Sequence, residues 1–238
     1  ISKSIELDSR YSGITTIGFD KHLLEQGQKY YYQAVYIQNM LEAPDSFTEK
    51  ICSKVDSVEI TPGQILKATL NKILPLPKVV EHQFVKTVIL KSKLLSNFFG
   101  KPRYLKASVL LPSEYFKNQD KSYPICYRVP GINGRYDAVN QLVEDKQFSD
   151  WWFSGNAPQI IYVFLDSQGP FGDMYQVDSE NNGPCGKALT EELIPEIENQ
   201  VRYNKNSEMR FLTGYSTGGW VSLALQIFYP DFFYGTWS

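Results

Sequence analysis

Residues 159–165 (QIIYVFL) form an uninterrupted apolar run, and this run constrains the fold more than any other segment of the sequence. A strand with one solvated face alternates polar and apolar residues, whereas a strand that is covered on both faces is apolar throughout. The run ends at Asp166. It is therefore typical of a central strand in a sheet that carries helices on both sides.

Strand-like and helix-like segments alternate on either side of this run. Strand-like runs occupy residues 104–111, 123–129 and 210–213, and a further apolar run begins at residue 231. The segments between them have a polar helix-like pattern or apolar residues at helical spacing, over residues 136–146, 187–201 and 217–228. This alternation predicts an α/β fold with a mostly parallel sheet, in which ligands bind beyond the carboxyl ends of the strands.

The first eighty residues have a different pattern, which is mainly β. Residues 29–37 (KYYYQAVYI) are β-branched and aromatic, and residues 55–60 and 65–70 flank a Thr-Pro-Gly turn in the manner of a hairpin. Leu74-Pro75-Leu76-Pro77 can continue neither a helix nor a central strand, so it is a plausible linker. We therefore predict a β-rich module over residues 1–80 and an α/β domain over residues 81–238.

Composition excludes several classes of function. The net charge is −2 and there is no long basic run, so we expect no nucleic-acid partner. No apolar run of about 18 residues is present, so no membrane span is predicted. The three cysteines Cys52, Cys126 and Cys185 are too few and too widely spaced for a zinc site. Buried free thiols are the default, although one bridge such as Cys52–Cys185 stays open. No metal ion and no cofactor are expected.

The candidate chemistry lies in Gly214-Tyr215-Ser216-Thr217-Gly218-Gly219, which matches the pattern G-x-S-x-G. In the corresponding motif the serine sits on a sharp strand-to-helix turn, and an apolar strand before it and an apolar helix after it are the expected context. Ser216 is the predicted nucleophile, and the backbone N–H of Thr217 is a predicted oxyanion donor. The alternative is a glycine-rich tight turn without chemistry.

A second oxyanion donor should come from a loop that follows an earlier strand. Pro130-Gly131-Ile132-Asn133-Gly134 has that position, and the backbone N–H of Ile132 is the predicted donor. The alternative is that these residues form a simple turn.

Five stretches of the chain together resemble the esterase D / enterochelin-esterase-like branch of the α/β-hydrolases. They are Val109–Pro112 (VLLP), Tyr123-Pro124 leading to Pro130-Gly131, residues 192–198 (ELIPEIE), residues 214–220 (GYSTGGW) and residues 229–233 (YPDFF). The resemblance implies a doubly wound, mostly parallel sheet and acyl-ester hydrolysis through a serine. Some members of this branch act on carbohydrate esters, some on siderophore esters, and a few are acyltransferases.

Carried over by position, the resemblance places Ser216 as the nucleophile and Ile132 and Thr217 as oxyanion donors. Residues 168–183 resemble a loop over the active site. The implied substrate contacts are Gly131, Tyr215, Asp178, Ser179, Asn181 and Asn182, with a solvated polar loop as the alternative for the last four. A secreted or periplasmic location is implied by the resemblance alone.

The sequence departs from the family pattern at three places. Val129-Pro130 precedes Gly131 where the family often has His-Gly, and Tyr215 stands where many members have histidine. More seriously, the fold requires an acid and then a histidine after the serine, and the 22 residues after Ser216 contain Asp231 but no histidine. His22 and His82 both precede the motif, and structural or surface roles are expected for them.

From this we expect the sheet to be incomplete at its C-terminal side, and the chain to be a nearly inactive fragment of a longer hydrolase. Three functions stay open at this point. They are a serine ester hydrolase, a non-catalytic binding module of the same fold, and an acyltransferase that uses the same serine. The expected partner is a small-molecule or carbohydrate ester, while the acyl group, the alcohol group and the oligomeric state are not predicted.

Overall fold

The computed structural model describes residues 25–37, 50–59, 61, 66–74, 78–169 and 172–238. Contacts divide the chain into two compact units, one with residues 1–39 and 47–76 and the other with residues 40–46 and 77–238. The boundary near residue 80 stays a prediction, because contacts alone do not show that either unit folds independently.

Two small antiparallel sheets make up the described part of the first unit. One pairs β1 with β4, and the other has the order β2-β3-β5. The five strands are β1 (Lys29–Tyr32), β2 (Val35–Ile37), β3 (Lys50–Cys52), β4 (Asp56–Glu59) and β5 (Lys72–Leu74).

The hairpin predicted over residues 55–60 and 65–70 is wrong in the described residues. Residues 66–70 form no strand, and β4 pairs with β1 instead, with Tyr30 opposite Val58. Residues 60 and 62–65, including most of the predicted turn, lie outside the described residues. A turn signal indicates where the chain can bend, but it does not specify which strand supplies the hydrogen-bonding partner.

The second unit is built on a six-stranded sheet with the order β15-β14-β8-β9-β7-β6. Strands β9, β8, β14 and β15 are mutually parallel, whereas β7 runs antiparallel to both β6 and β9. The strands are β6 (Val85–Ser92), β7 (Arg103–Leu110), β8 (Ile125–Val129), β9 (Ile161–Leu165), β14 (Arg210–Gly214) and β15 (Gly235–Trp237). Short two-stranded pairs add β10 (Gln168–Gly169) with β11 (Gly172–Asp173), and β12 (Asp178–Ser179) with β13 (Gly183–Pro184).

Helices connect these strands. Those over residues 139–144, 185–200 and 217–228 match the predicted positions, whereas those over residues 93–99 and 146–153 are not predicted from the sequence. The described α-helices are α1 (Lys93–Phe99), α2 (Val139–Glu144), α3 (Lys146–Phe153), α4 (Cys185–Lys187), α5 (Ile194–Gln200) and α6 (Thr217–Phe228). A π-helical segment, Ala188–Leu193, joins α4 to α5, so that the predicted helix over residues 187–201 is one continuous helical stretch with a wide turn inside it. The helix predicted over residues 217–228 has those same bounds.

Strand β9 shows why its sequence is apolar throughout. Ile161, Val163 and Leu165 belong to one buried cluster, which also holds the core residues of α5 and α6. Tyr162 and Phe164 point to the other face, where they pack with residues of α2 and α3. Both faces of the strand are therefore covered by helices, and the predicted α/β fold with a mostly parallel sheet is confirmed.

The remaining compositional expectations concern the cysteines, membrane spans and metal ions. Cys52, Cys126 and Cys185 are all buried and free, so the bridge that the sequence left open is not formed. No helix within the described ranges is long and apolar enough to cross a membrane. In the same part of the chain, no group of three or more His, Cys, Asp or Glu side chains is arranged to hold a metal ion.

Candidate active site

Ser216 lies at the carboxyl end of β14, between the last residue of that strand and the first residue of α6. Its backbone has φ 57° and ψ −127°, which is a conformation that residues other than glycine rarely adopt. Its side chain does not cap the helix, and the residue is exposed. The strained bend therefore presents the hydroxyl outward, as the nucleophile of a strand-to-helix turn requires.

The two glycines of the motif are required by the close approach of strand, helix and neighbouring strand. A Cβ on Gly214 would lie 2.1 Å from the carbonyl oxygen of Gly218. A Cβ on Gly218 would lie 2.3 Å from the carbonyl oxygen of Val129, at the end of β8. Real Cβ atoms are not found at such distances from other atoms. Larger residues at either position would therefore force apart the strand-to-helix turn of residues 214–218, which we call the elbow.

The N-terminus of α6 places one N–H group without a helical partner next to Ser216. The carbonyl oxygen of Ser216 accepts the N–H groups of Gly219 at 3.0 Å and Trp220 at 3.2 Å. Thr217 is the first residue of the helix, so its own N–H has no partner within the helix. It is available to a negative charge that develops beside the serine, and the positive end of the helix dipole favours such a charge.

The predicted second donor lies on a tight turn at the carboxyl end of β8. The N–H of Gly134 donates to the carbonyl oxygen of Gly131 at 2.9 Å, and Asn133 has φ 58°. A positive φ at the third position alone is the signature of a type II turn. Ile132, the second residue, has a side chain that is 65% exposed.

The structure brings this turn and the elbow together. A Cβ built on Gly131 would lie 4.0 Å from the Cβ of Ser216 and 3.4 Å from the carbonyl oxygen of Tyr215. Strands β8 and β14 are neighbours, with Val129 paired to Gly214, so their carboxyl ends meet at one edge of the sheet. The turn that carries Ile132 therefore lies beside Ser216, where the sequence predicts an oxyanion donor.

An ion pair between a half-buried arginine and a buried carboxylate follows the next strand, β9, and no sequence motif marks it. The Nε of Arg135 donates to both carboxylate oxygens of Asp166, at 3.1 and 3.0 Å, and the N–H of Gln168 donates to one of them at 2.8 Å. Burial raises the pKa of Asp166 above its usual value, and the positive charge of Arg135 opposes this rise. Arg135 directly follows the turn of residues 131–134, so the ion pair connects that turn to the end of β9.

Two aromatic residues that the sequence analysis also missed border the elbow. The rings of Tyr175 and Trp220 meet edge to face, with centroids 6.3 Å apart, and Trp220 lies one helical turn after Ser216. Tyr215, a predicted substrate contact, is 86% exposed. No sequence period marks Tyr175, because it lies in an irregular loop.

Three of the four polar residues predicted to contact substrate in residues 178–182 form hydrogen bonds within the protein. One carboxylate oxygen of Asp178 accepts the N–H groups of Gly186 and Lys187, at 2.8 and 3.1 Å. The hydroxyl of Ser179 accepts the N–H of Asn182 at 3.0 Å, and Asn181 is exposed.

Asp178 also lies near the side chain of the residue that follows α6. A Cβ on Gly186 would lie 3.2 Å from Asp178 and 2.7 Å from the hydroxyl of Tyr229. Tyr229 follows the last residue of α6, a helix of 12 residues that begins after Ser216 and spans about 18 Å. Asp178 is therefore close to the residue at the far end of that helix, and its contact with substrate stays a prediction.

The described residues do not bring a general base to Ser216. His82 is the one histidine among them, and its ring packs against Phe84 and Phe153, beside the cluster that α2 and α3 cover. His22 lies outside the described residues. Asp231 follows the C-terminal end of α6, whereas Ser216 precedes its N-terminal end.

Comparison with known proteins gives a family for this arrangement. The sequence model of the family described as "Putative esterase" matches residues 100–236, which is more than half of the chain and includes Ser216 and the turn of residues 131–134. The chain belongs to this esterase family. No curated protein shows significant sequence similarity to it.

Solved structures share the fold. A ferulic acid esterase is 23% identical with a TM-score of 0.53, covering 64% of this chain and 56% of its own. An S-formylglutathione hydrolase from Agrobacterium tumefaciens is 15% identical with a TM-score of 0.50, covering 66% of this chain and 58% of its own. The chain thus spans less than two thirds of the length of either solved structure. With the family match, these neighbours confirm the predicted resemblance to the esterase D-like branch of the α/β-hydrolases.

Proposed function

We propose that the protein is a carboxylic ester hydrolase that works through an acyl-enzyme on Ser216. The observation that carries the proposal is the approach of Gly131 to Ser216, since a Cβ on that glycine would lie 4.0 Å from the serine Cβ. Within the described residues, an exposed and strained serine lies beside the first N–H of α6 and beside the turn that carries Ile132, and acyl transfer needs a nucleophile and oxyanion donors placed in this way. The family match and the fold it shares with a ferulic acid esterase support the same chemistry.

The reaction follows from this arrangement. Ser216 Oγ forms a bond to the ester carbonyl carbon, and the carbonyl oxygen takes up the electron pair of the double bond. The N–H groups of Ile132 and Thr217 stabilise this oxyanion. As the intermediate collapses, the carbon–oxygen bond to the alcohol breaks and the alcohol leaves with the serine proton. Water then adds to the acyl carbon, and the serine leaves with a proton from that water.

The proposal assigns the nucleophile and both oxyanion donors to this chain and leaves the base unassigned. Gly131 and Tyr215 flank the serine and are proposed to line the acyl site. Carbohydrate-linked or siderophore esters are proposed substrates, and a secreted or periplasmic location is proposed from the resemblance alone. A binding module of the same fold is the second candidate, because the described residues place no histidine beside Ser216.

The test uses the protein expressed from its complete gene, with p-nitrophenyl acetate as the ester. Ser216→Ala should lower kcat by about 10⁴-fold or more, because removal of an activated serine leaves only oxyanion binding and proximity. Ser207→Ala is the matched control, since Ser207 is exposed and lies just before the opposite end of the same strand. It should leave turnover unchanged.

Three outcomes separate the candidate functions. A p-nitrophenyl phosphate triester should add its phosphoryl group to the peptide that carries Ser216, as seen by mass spectrometry, if this serine is the nucleophile. Ester binding without turnover, equal in the wild type and in Ser216→Ala, would instead establish the binding module. Preferential transfer of the acetyl group to an added alcohol rather than to water would establish an acyltransferase.

A further inference from the structure

The turn of residues 131–134, which carries the proposed oxyanion donor Ile132, is bound by the carboxylate of Asp173. Both oxygens of Asp173 accept the backbone N–H of Asn133, at 3.1 and 2.9 Å. The hydroxyl of Ser167 lies 2.6 Å from the carbonyl oxygen of Gly134 and 3.0 Å from Asp173, so its single proton serves one of these two acceptors. The far end of the turn is thus held from two sides by residues that follow β9.

The placement of Asp173 is itself fixed by local structure. It pairs with Gln168 across the short β10–β11 ladder. The N–H of Met174, the next residue, donates to the carbonyl oxygen of Ser167 at 2.9 Å. Asp173 therefore cannot shift along the turn without breaking this pairing.

These bonds act on the two peptide planes that flank the Cα of Ile132. The carbonyl oxygen of Gly131 is bound by the N–H of Gly134 inside the turn. In a planar trans peptide the N–H points opposite to the C=O, so the N–H of Ile132 must point out of the turn. The next peptide, between Ile132 and Asn133, is held by Asp173. Because φ and ψ of Ile132 relate these two planes, fixing both planes fixes the direction of its N–H.

We propose that Asp173 is a positioning residue for the oxyanion hole, and that it keeps the N–H of Ile132 aimed at the ester carbonyl on Ser216. This inference rests on the proposed function. Asp173 contacts the backbone and not the substrate, so it acts on the reacting atoms only through the turn. A carboxylate suits this role because a charged acceptor makes a shorter and stronger bond to an N–H than a neutral one does.

The first test compares two substitutions at Asp173 in the protein expressed from its complete gene. Asp173→Ala removes both acceptors, so kcat for p-nitrophenyl acetate should fall about tenfold to a hundredfold, which is the effect of a donor displaced by about 1 Å. KM should change by less than about threefold, since the oxyanion forms after binding. Asp173→Asn keeps one acceptor and should restore kcat to within about threefold of the wild type.

Glu180→Ala is the matched control. Glu180 is an exposed acid in the same loop region, beyond β12, and its removal should leave kcat and KM unchanged. Ser216→Ala, measured in parallel, tests the proposed function separately. If that variant is inactive and Asp173→Ala keeps the wild-type kcat, the hydrolase proposal stands and the positioning role is overturned. If Ser216→Ala is fully active, the proposed function is overturned, and the positioning role that rests on it is overturned as well.

Hydrogen exchange gives a second readout, and its measurement on the wild-type protein does not depend on the folding of a variant. In the wild-type protein the amide of Asn133 should exchange at least about tenfold more slowly than in an unstructured peptide, although its residue is exposed. In Asp173→Ala the same amide should lose this protection, and in Asp173→Asn it should keep most of it. Free exchange of the Asn133 amide in the wild type overturns the proposal, as does a fall in kcat with protection retained.

Discussion

The strained backbone at Ser216 predicts that glycine at this position makes the protein more stable. With φ 57° and ψ −127°, the residue occupies a region that costs a side-chain-bearing residue about 1–3 kcal/mol. Glycine adopts it without that cost but loses about 0.5–1 kcal/mol more than alanine in backbone entropy on folding. Relative to Ser216→Ala, Ser216→Gly should therefore raise the free energy of unfolding by about 1 kcal/mol. In a domain of this size, that corresponds to a rise in Tm of about 2–4 °C.

Urea unfolding, followed by tryptophan fluorescence, measures the difference. Alanine is the proper reference because the Ser216 side chain does not cap α6, so both variants lose the same hydroxyl and differ only in the Cβ. The next residue supplies the control. Thr217 begins the helix with ordinary backbone angles, so Thr217→Gly should be less stable than Thr217→Ala by about 0.5–1 kcal/mol.

The test compares the sign of the glycine-minus-alanine difference in unfolding free energy at position 216 with its sign at position 217. Opposite signs at adjacent positions can arise only from the local backbone, since solvent exposure and composition change in the same way in both pairs. If Ser216→Gly is equal to or less stable than Ser216→Ala, the elbow is not strained, and the physical basis for an outward-facing serine is lost.

Close contacts lead to one further prediction and burial of the cysteines to two. Gly218→Ala should lower the free energy of unfolding by about 1–3 kcal/mol, because its Cβ would lie 2.3 Å from the carbonyl oxygen of Val129. Gly219→Ala should be neutral or stabilising, because its Cβ would meet nothing closer than 3.5 Å. Equal midpoints of urea unfolding for the two variants would contradict this account. Burial raises the pKa of Cys126 and of Cys185 to about 12, so both thiols should resist alkylation at pH 8 when folded and react when unfolded, with peptide mass spectrometry as the readout. Since these pKa values are higher in the folded than in the unfolded state, their contribution to stability is complete below about pH 9 and is lost as the pH rises towards 12; stability that is flat over this window would refute it.

The candidate site shows which parts of such a structure can be predicted from local sequence. The bounds of α6 and the strand before it were predictable, because the glycines at 214 and 218 and the helical spacing of apolar residues act within one short segment. Burial of β9 on both faces was also predictable from its composition. The partner of β4 was not, because residues 66–70 form no strand and β1, far away in sequence, pairs with it instead.

Asp173 and Asp178 illustrate the limit more sharply. Both are acids in short strand pairs after β9, and the family resemblance implies a substrate contact only for Asp178. In the structure Asp178 binds the N–H groups of Gly186 and Lys187, while Asp173 binds the turn that faces Ser216. No period distinguishes them, because loop residues are placed by hydrogen bonds to other elements and not by the spacing of their neighbours.

The sequence by itself determined the elements that a few adjacent residues can specify, namely the doubly covered strand β9, the glycine-bounded elbow at Ser216 and the helix after it. Only the tertiary structure decided that the turn at Gly131 faces this serine, since that follows from the pairing of β8 with β14, which are about eighty residues apart in the chain. The physical reason is the range of the interactions. Backbone angles and burial patterns are set locally, whereas strand order and the contacts of loops depend on which distant segments pack together.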